Sequence, residues 1–82
     1  MQAEIRRILD QHGALSTPAA ALGEDEDLYA AGLKSFASVQ LMLALEEAFD
    51  VEFPEHLLNR RTFSSIRAIE TALGQIQLKS VA

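Results

Sequence analysis

The chain contains no cysteine. That excludes disulfides and thiolate metal clusters, so stability has to come from the packing of the side chains that are present. Basic residues are scarce too: seven Lys and Arg stand against twelve Asp and Glu, a formal net charge of −5. The few cations are scattered, which argues against a nucleic-acid partner, whose phosphates need a basic patch, and favours partners with basic surfaces. Long apolar runs are missing as well. The longest, Leu41 to Leu45, is far too short to span a bilayer, and the opening Met1-Gln2-Ala3-Glu4-Ile5-Arg6-Arg7 lacks the apolar core of a signal peptide. No membrane partner is expected, and the reading is of a soluble, cytoplasmic protein. Repeats, linkers and strand-and-turn alternation are absent, and only Lys79-Ser80-Val81-Ala82 reads as a frayed tail.

What is present fits one small helical domain, residues 1–82, because 82 residues with 49% apolar content allow a single modest core. Ile5, Ile8, Leu9 and His12 follow the i, i+3, i+4, i+7 pattern, so a first helix runs from Gln2 to about His12, with Gly13 as its stop. A long connection from Gly13 to Lys34 follows. Leu15, Leu22, Leu28, Tyr29 and Leu33 are expected to pin it down, Pro18 can open a helical turn at Ala19-Ala20-Ala21, and Glu24 to Asp27 reads as a solvated acidic strip. Past Phe49, Pro54 ends any extension, and Glu55 to Asn59 suits a short helix with Leu57 and Leu58 turned inward. Arg60 and Arg61 would sit near its end. The last helix starts near Ser64 or Ser65 and runs to Leu78 on Ile66, Ile69, Leu73 and Ile76, unless Gly74 ends it early. The expected fold is an all-α bundle of four helices, three main and one short, with a long first loop.

The second helix organises the rest. No Pro or Gly interrupts Phe36 to Phe49, Gly32 precedes it as a stop, and Ser35 stands at its amino end. At about 100° per residue its apolar positions separate into two arcs. One holds Leu41, Met42, Leu45, Ala48 and Phe49 and reads as core. The other holds Phe36, Val39 and Leu43, headed by Ser35 and rimmed by Glu46, Glu47 and Asp50. Large apolar groups on a solvent-facing arc mark a docking surface. Taken on position alone, however, a serine at a helix start is most often just an N-cap.

Asp27-Leu28-Tyr29-Ala30-Ala31-Gly32-Leu33-Lys34-Ser35 resembles the D-L-F-x-x-G-L-D-S signature of acyl and peptidyl carrier proteins. Leu41 to Phe49 continues the likeness as L-x-x-x-L-E-E-x-F, Asp50 to Pro54 looks like the family's D-x-x-[IL]-P turn, and Thr62 to Ile66 like its T-[VI]-x-x-[IL] helix start. The resemblance implies a carrier rather than an enzyme, with a 4′-phosphopantetheine arm covalently attached to Ser35. An attached phosphodiester there would face free N–H groups and the positive end of the helix dipole. A thioester carrier needs a thiol that this cysteine-free chain would draw from the arm. The implied partners are a phosphopantetheinyl transferase, an acyl- or aminoacyl-loading ligase and a downstream acyl-accepting enzyme, met through Lys34, Phe36, Val39, Leu43, Glu46 and Glu47. A monomer is expected.

Departures from the pattern narrow the subfamily. Lys34 stands where aspartate is usual, and Ala37 and Gln40 stand where carriers of fatty acid synthesis tend to keep acids. The thinned acidic strip, with Phe36 and the Phe49-to-Pro54 segment, looks closer to stand-alone aminoacyl carriers, one group of which is loaded by ligases similar to the catalytic core of seryl-tRNA synthetases. The alternative is a small acidic helical adaptor that docks a protein through Phe36, Val39 and Leu43 without modification. His12 and His56 lack a nucleophile or ligand partner at diagnostic spacing, and Glu24 to Asp27 does not match a calcium loop, so neither catalytic residues nor a metal site are assigned.

Overall fold

The protein is described by a computed structural model covering residues 1–13 and 15–81, without the side chains of 78–81. Three α-helices, α1 (Gln2–His12), α2 (Ser35–Phe49) and α3 (Ile66–Val81), are joined by segments carrying 3₁₀ turns at Ala19–Ala21, Glu55–Leu57 and Arg60–Phe63. Among the described residues there is no strand. The all-α expectation holds, and the first helix ends where its sequence pattern does, with the Gly13 N–H donating to Leu9 O at 2.8 Å.

The core is one cluster in which Ile5, Ile8 and Leu9 of α1, Ala37, Leu41 and Leu45 of α2, and Ile66, Ile69 and Leu73 of α3 are buried. The long first loop joins it through Ala19, Leu22, Leu28 and Leu33. Full burial of a leucine stabilises by about 1.5–3 kcal/mol, so these residues give the loop a hydrophobic anchor of its own. Its polar backbone is met by α1 side chains on one side and by backbone groups of Ser64 and Arg67 on the other. The Arg6 guanidinium donates to Ala19 O and Leu22 O, and the Asp10 carboxylate accepts the Ala19 N–H at 2.8 Å. On the other side Leu28 N–H donates to Ser64 O and Arg67 N–H to Glu24 O, each at 2.8 Å.

Four local expectations are corrected. The acidic strip is not merely solvated: Glu24 and Asp25 pair with Arg67, Glu26 accepts the Gly23 N–H, and Asp27 accepts the Tyr29 N–H. The short helix over Glu55 to Asn59 is a single 3₁₀ turn, because Asn59 stops it and caps the next one, accepting from Thr62 N–H at 3.0 Å. A 3₁₀ turn spreads successive side chains by about 120°, so Leu57 and Leu58 cannot both face inward. Leu57 is half-buried and Leu58 is 47% exposed. Gly74 does not end α3. The helix passes through it, held on either side by buried Leu73 and Ile76.

The fourth correction concerns α2. Ala48 is exposed in a groove between α1 and α2, whereas Ala37, read as a thinned docking position, is 1% exposed and belongs to the core. A wheel gives direction but not depth, and near the end of α2 a lone methyl leaves a groove rather than a contact. The expected frayed tail, 79–82, falls on side chains and a terminal residue outside the described residues, although the backbone of α3 is described as helical through Val81.

Candidate functional site

The site is approached through a turn. Asp27 accepts the Tyr29 N–H at 2.9 Å, Gly32 N–H donates to Tyr29 O at 3.2 Å, and Leu33 N–H donates to Leu28 O at 3.0 Å. Gly32 makes the turn possible with φ +114°, a region that side-chain-bearing residues rarely adopt, and a Cβ there would also lie 3.3 Å from Ser16 N. Leu28 and Leu33 are buried on either side of it, so the exit direction of the chain is set by the core. Lys34 is then extended (φ −99°, ψ 160°), and α2 begins at Ser35.

Lys34, not Ser35, occupies the cap position, and no side chain caps the helix. Ser35 lies one residue too far along to serve as the cap. Its hydroxyl is exposed, while Ser38 donates its own hydroxyl back to Ser35 O at 2.7 Å. The first intrahelical bond is Ser38 N–H to Lys34 O at 2.9 Å, which leaves the N–H groups of Ser35, Phe36 and Ala37 at the open end of the helix.

Beside Ser35 lies an open cleft of about 350 Å³. Val39 and Met42 of α2 form one wall, and Leu58, Asn59, Arg60 and Phe63 form the other, with Tyr29 between them. The Arg60 guanidinium sits 3.8 Å from the centre of the Tyr29 ring, and the Tyr29 hydroxyl donates to Arg60 O at 2.9 Å. Partial burial raises the phenol above the ordinary tyrosine range, with the Arg60 cation opposing and the Asp27 carboxylate reinforcing that shift. Phe63 is backed by Phe53, ring centres 5.4 Å apart.

The residues singled out from the sequence divide into groups. Ser35 and Val39 line the cleft. Phe36 is 64% exposed and Val39 53% exposed, flanking the serine with the exposed Lys34. Leu43, also 53% exposed, lies with Glu47 in the separate groove against α1, alongside Arg7 and His12. Glu46 faces neither. It is half-buried, its carboxylate accepts the Phe53 N–H at 2.8 Å, and its carbonyl accepts the Val51 N–H at 3.0 Å. Sequence reasoning missed Arg60, Asn59 and Met42 as parts of the site. The Tyr29–Arg60 contact joins positions too far apart in the chain for any periodic pattern to show it.

A family model described as a phosphopantetheine attachment site matches residues 4–73. The chain belongs to that family of carrier proteins, which are not enzymes and which bear a covalently attached 4′-phosphopantetheine. The chain is 63% identical over 76 residues to the aminoacyl carrier protein of Agrobacterium fabrum, covering 93% of this chain and 92% of that one. Among solved structures, the complex of an engineered Bradyrhizobium japonicum glycine:carrier protein ligase with a carrier protein from Agrobacterium tumefaciens and AMP contains a chain 59% identical to this one. Its TM-score is 0.88, with 90% of this chain and 99% of that chain covered. A second, the Bradyrhizobium japonicum ligase complexed with glycylated carrier protein, matches at 25% identity with a TM-score of 0.74 over 87% and 95% of the two chains. Among the described residues no helix is long and apolar enough to cross a membrane, and no cluster of three or more His, Asp or Glu could hold a metal ion.

Proposed function

We propose that Ser35 is the attachment point of the 4′-phosphopantetheine arm and that the chain carries an aminoacyl group on it. The observation that carries this reading is the pairing of an exposed, uncapping serine hydroxyl with the open amino end of a 15-residue helix. A phosphodiester on that oxygen would find the N–H groups of Ser35, Phe36 and Ala37 and the positive end of the helix dipole within its first turn. The adjoining cleft offers apolar wall beside the serine. When bound, the arm supplies the terminal thiol for thioester formation that the cysteine-free chain lacks. The chain's own part is to present that oxygen, hold the phosphate charge and give partners a surface to grip.

The aminoacyl assignment rests on similarity to the Agrobacterium fabrum carrier and on a carrier relative solved with a glycine:carrier protein ligase. A ligase of that kind is the proposed loading partner, preceded by a phosphopantetheinyl transferase and followed by an acyl-accepting enzyme. Lys34, Phe36 and Val39 form the part of the docking surface around the serine, and Leu43 and Glu47 form its extension toward α1. Glu46 contributes through the turn it holds rather than as a contact. A cytoplasmic setting belongs to the same reading.

The test is a mass spectrum of the apo protein after treatment with coenzyme A and a broad-specificity transferase. One adduct of about 340 Da on the wild type and none on Ser35→Ala is expected for this modification. Adduct on Ser38 in the variant would overturn the assignment.

A further inference from the structure

The arginines are not used alike. Arg6 donates to Ala19 O and Leu22 O, Arg7 pairs with Glu4, and Arg67 pairs with Glu24 and Asp25. The Arg60 guanidinium, by contrast, makes neither a hydrogen bond nor an ion pair among the described residues, in a chain with twelve Asp and Glu. It is placed all the same. It lies on the Tyr29 ring, 3.8 Å from the centre, and the Arg60 carbonyl accepts from the Tyr29 hydroxyl at 2.9 Å, so Tyr29 holds residue 60 by both side chain and backbone. Stacking occupies the face of a guanidinium and leaves the N–H groups along its edge free to donate. Among the described residues Arg60 is also the one charged group that lines the cleft together with Ser35. Its neighbour Arg61 lines a different groove, with Thr62, Ser65 and Thr71, that does not include the serine.

We infer that Arg60 is the side-chain counter-ion of the phosphodiester on Ser35, a positioning residue that turns the first atoms of the arm toward the 58–63 wall of the cleft. The inference rests on the proposed attachment of the arm to Ser35 and concerns the phosphate alone. The carried group takes no part in it. A serine phosphodiester has one negative charge shared by two non-bridging oxygens, and that pair matches the parallel N–H groups on a guanidinium edge. Ser35 and Arg60 share a cleft of about 350 Å³, small enough for the two charges to lie within the screening length of about 8 Å at physiological salt. Other groups bear on the same anion. The N–H groups of Ser35, Phe36 and Ala37 meet it from the helix end, and the Asp27 carboxylate, which accepts the Tyr29 N–H at 2.9 Å, opposes it from outside the lining residues. Lys34 is exposed beside the serine, but its strongly hydrated ammonium on a flexible stem has to be ordered from solvent, whereas Arg60 is already stacked. The helix end thus fixes where the phosphate sits, and Arg60 fixes the side toward which the arm leaves it.

The experiment compares apo and holo protein, the holo form made with coenzyme A and a broad-specificity transferase, in the wild type and in Arg60→Gln, Arg61→Gln and Lys34→Gln. Each substitution removes one positive charge, so only its position differs. The first readout is the change in melting temperature on attachment, compared between variant and wild type so that the effect of the substitution on the apo fold cancels. At low ionic strength Arg60→Gln should lose about 2–4 °C of that change, the loss should fade as salt is raised, and Arg61→Gln and Lys34→Gln should each lose clearly less. The second readout needs no variant. By NMR, the Arg60 Nε–H of the wild type should exchange with water about threefold or more slowly in the holo than in the apo protein, and that of Arg61 should not change. Equal changes in melting temperature for wild type and Arg60→Gln, an equal or larger loss in either other variant, or an unaltered Arg60 exchange rate would overturn the inference. The exchange rate decides the matter if Arg60→Gln fails to fold. Absence of any adduct on Ser35 of the wild type would instead overturn the attachment on which the inference rests.

Discussion

The two ends of α2 are made from similar material, a polar residue beside a turn, and the structure treats them in opposite ways. At the carboxyl end Asp50 adopts the left-handed conformation (φ 53°, ψ 52°) and its N–H closes onto Glu46 O. The Val51 N–H shares that carbonyl, and the Glu46 carboxylate takes the Phe53 N–H, so the chain is tied down for several residues past the helix. A non-glycine residue in that conformation costs about 1 kcal/mol, which the bonds to Glu46 offset. At the amino end no side chain satisfies the first N–H groups, and a lysine stands where the dipole favours an acid. One end is closed for stability. The other stays open, and the difference shows that a fold can leave polar groups unsatisfied where they are to be used, provided the element is secured elsewhere.

The comparison is broken most completely by Ser35→Ala. Modification should fall to zero by mass spectrometry, while the melting temperature barely moves, because the hydroxyl caps nothing and surface changes of this kind usually stay within about 0.5 kcal/mol. The next largest effect belongs to the core that holds both ends. Leu45→Ala should destabilise by about 2–5 kcal/mol in denaturant unfolding, whereas Leu43→Ala, on the exposed side, should leave stability within about 0.5 kcal/mol and weaken partner binding instead. Equal losses at the two positions would refute the division of α2 into a buried and a presented face.

Glu46→Ala sharpens the contrast between the ends. It removes the acceptor of the Phe53 N–H and should cost about 1–3 kcal/mol by the same unfolding measurement, against almost nothing for Glu47→Ala. The Tyr29 phenol, followed by ultraviolet absorbance, should titrate above the ordinary tyrosine range. Arg60→Gln should raise it further by removing a cation that favours the phenolate, and Asp27→Asn should lower it by removing an anion that opposes it. Because the folded state holds this proton more tightly, the stability it contributes is complete below the ordinary tyrosine pKa and is lost as pH rises through the folded one. Lys34→Asp should have the smallest effect, a few tenths to about 1 kcal/mol of added stability at low salt from a better dipole match, fading as ionic strength rises. A shift in loading by the cognate ligase with unchanged stability would make Lys34 a recognition residue.

Both long helices flanking the first loop, and the exposure of Phe36, Val39 and Leu43, could be read from the sequence because they follow from local periodicity along uninterrupted helical segments. The Asp27-to-Ser35 string was legible for another reason. Its glycine and its buried leucines meet needs that are local to one turn, so the pattern survives as a contiguous motif. The errors have a different origin. Ala37 reads as a position stripped of an acid, yet it is 1% exposed and part of the core cluster, a burial set by the packing of the whole bundle. Glu46 looked like rim charge until the 50–53 turn came back to it. Apolar spacing turns Leu58 inward, but the interruption at Asn59 depends on a cap bond to Thr62, which that spacing does not include.

By itself the sequence determined the helical periods, the turn at Gly32, the serine at the head of α2 and the need for a thiol from outside the chain, since each depends on residue type and near neighbours. Only the tertiary structure decided that Ser35 would open onto a cleft and that Arg60 would lie over Tyr29, 3.8 Å from its ring centre. It also decided that Glu46 would face the backbone rather than a partner. Those outcomes depend on chain segments brought together by burial of the shared core. A side chain's partner across such a junction is set by the packing of the whole, which no short stretch of the sequence encodes.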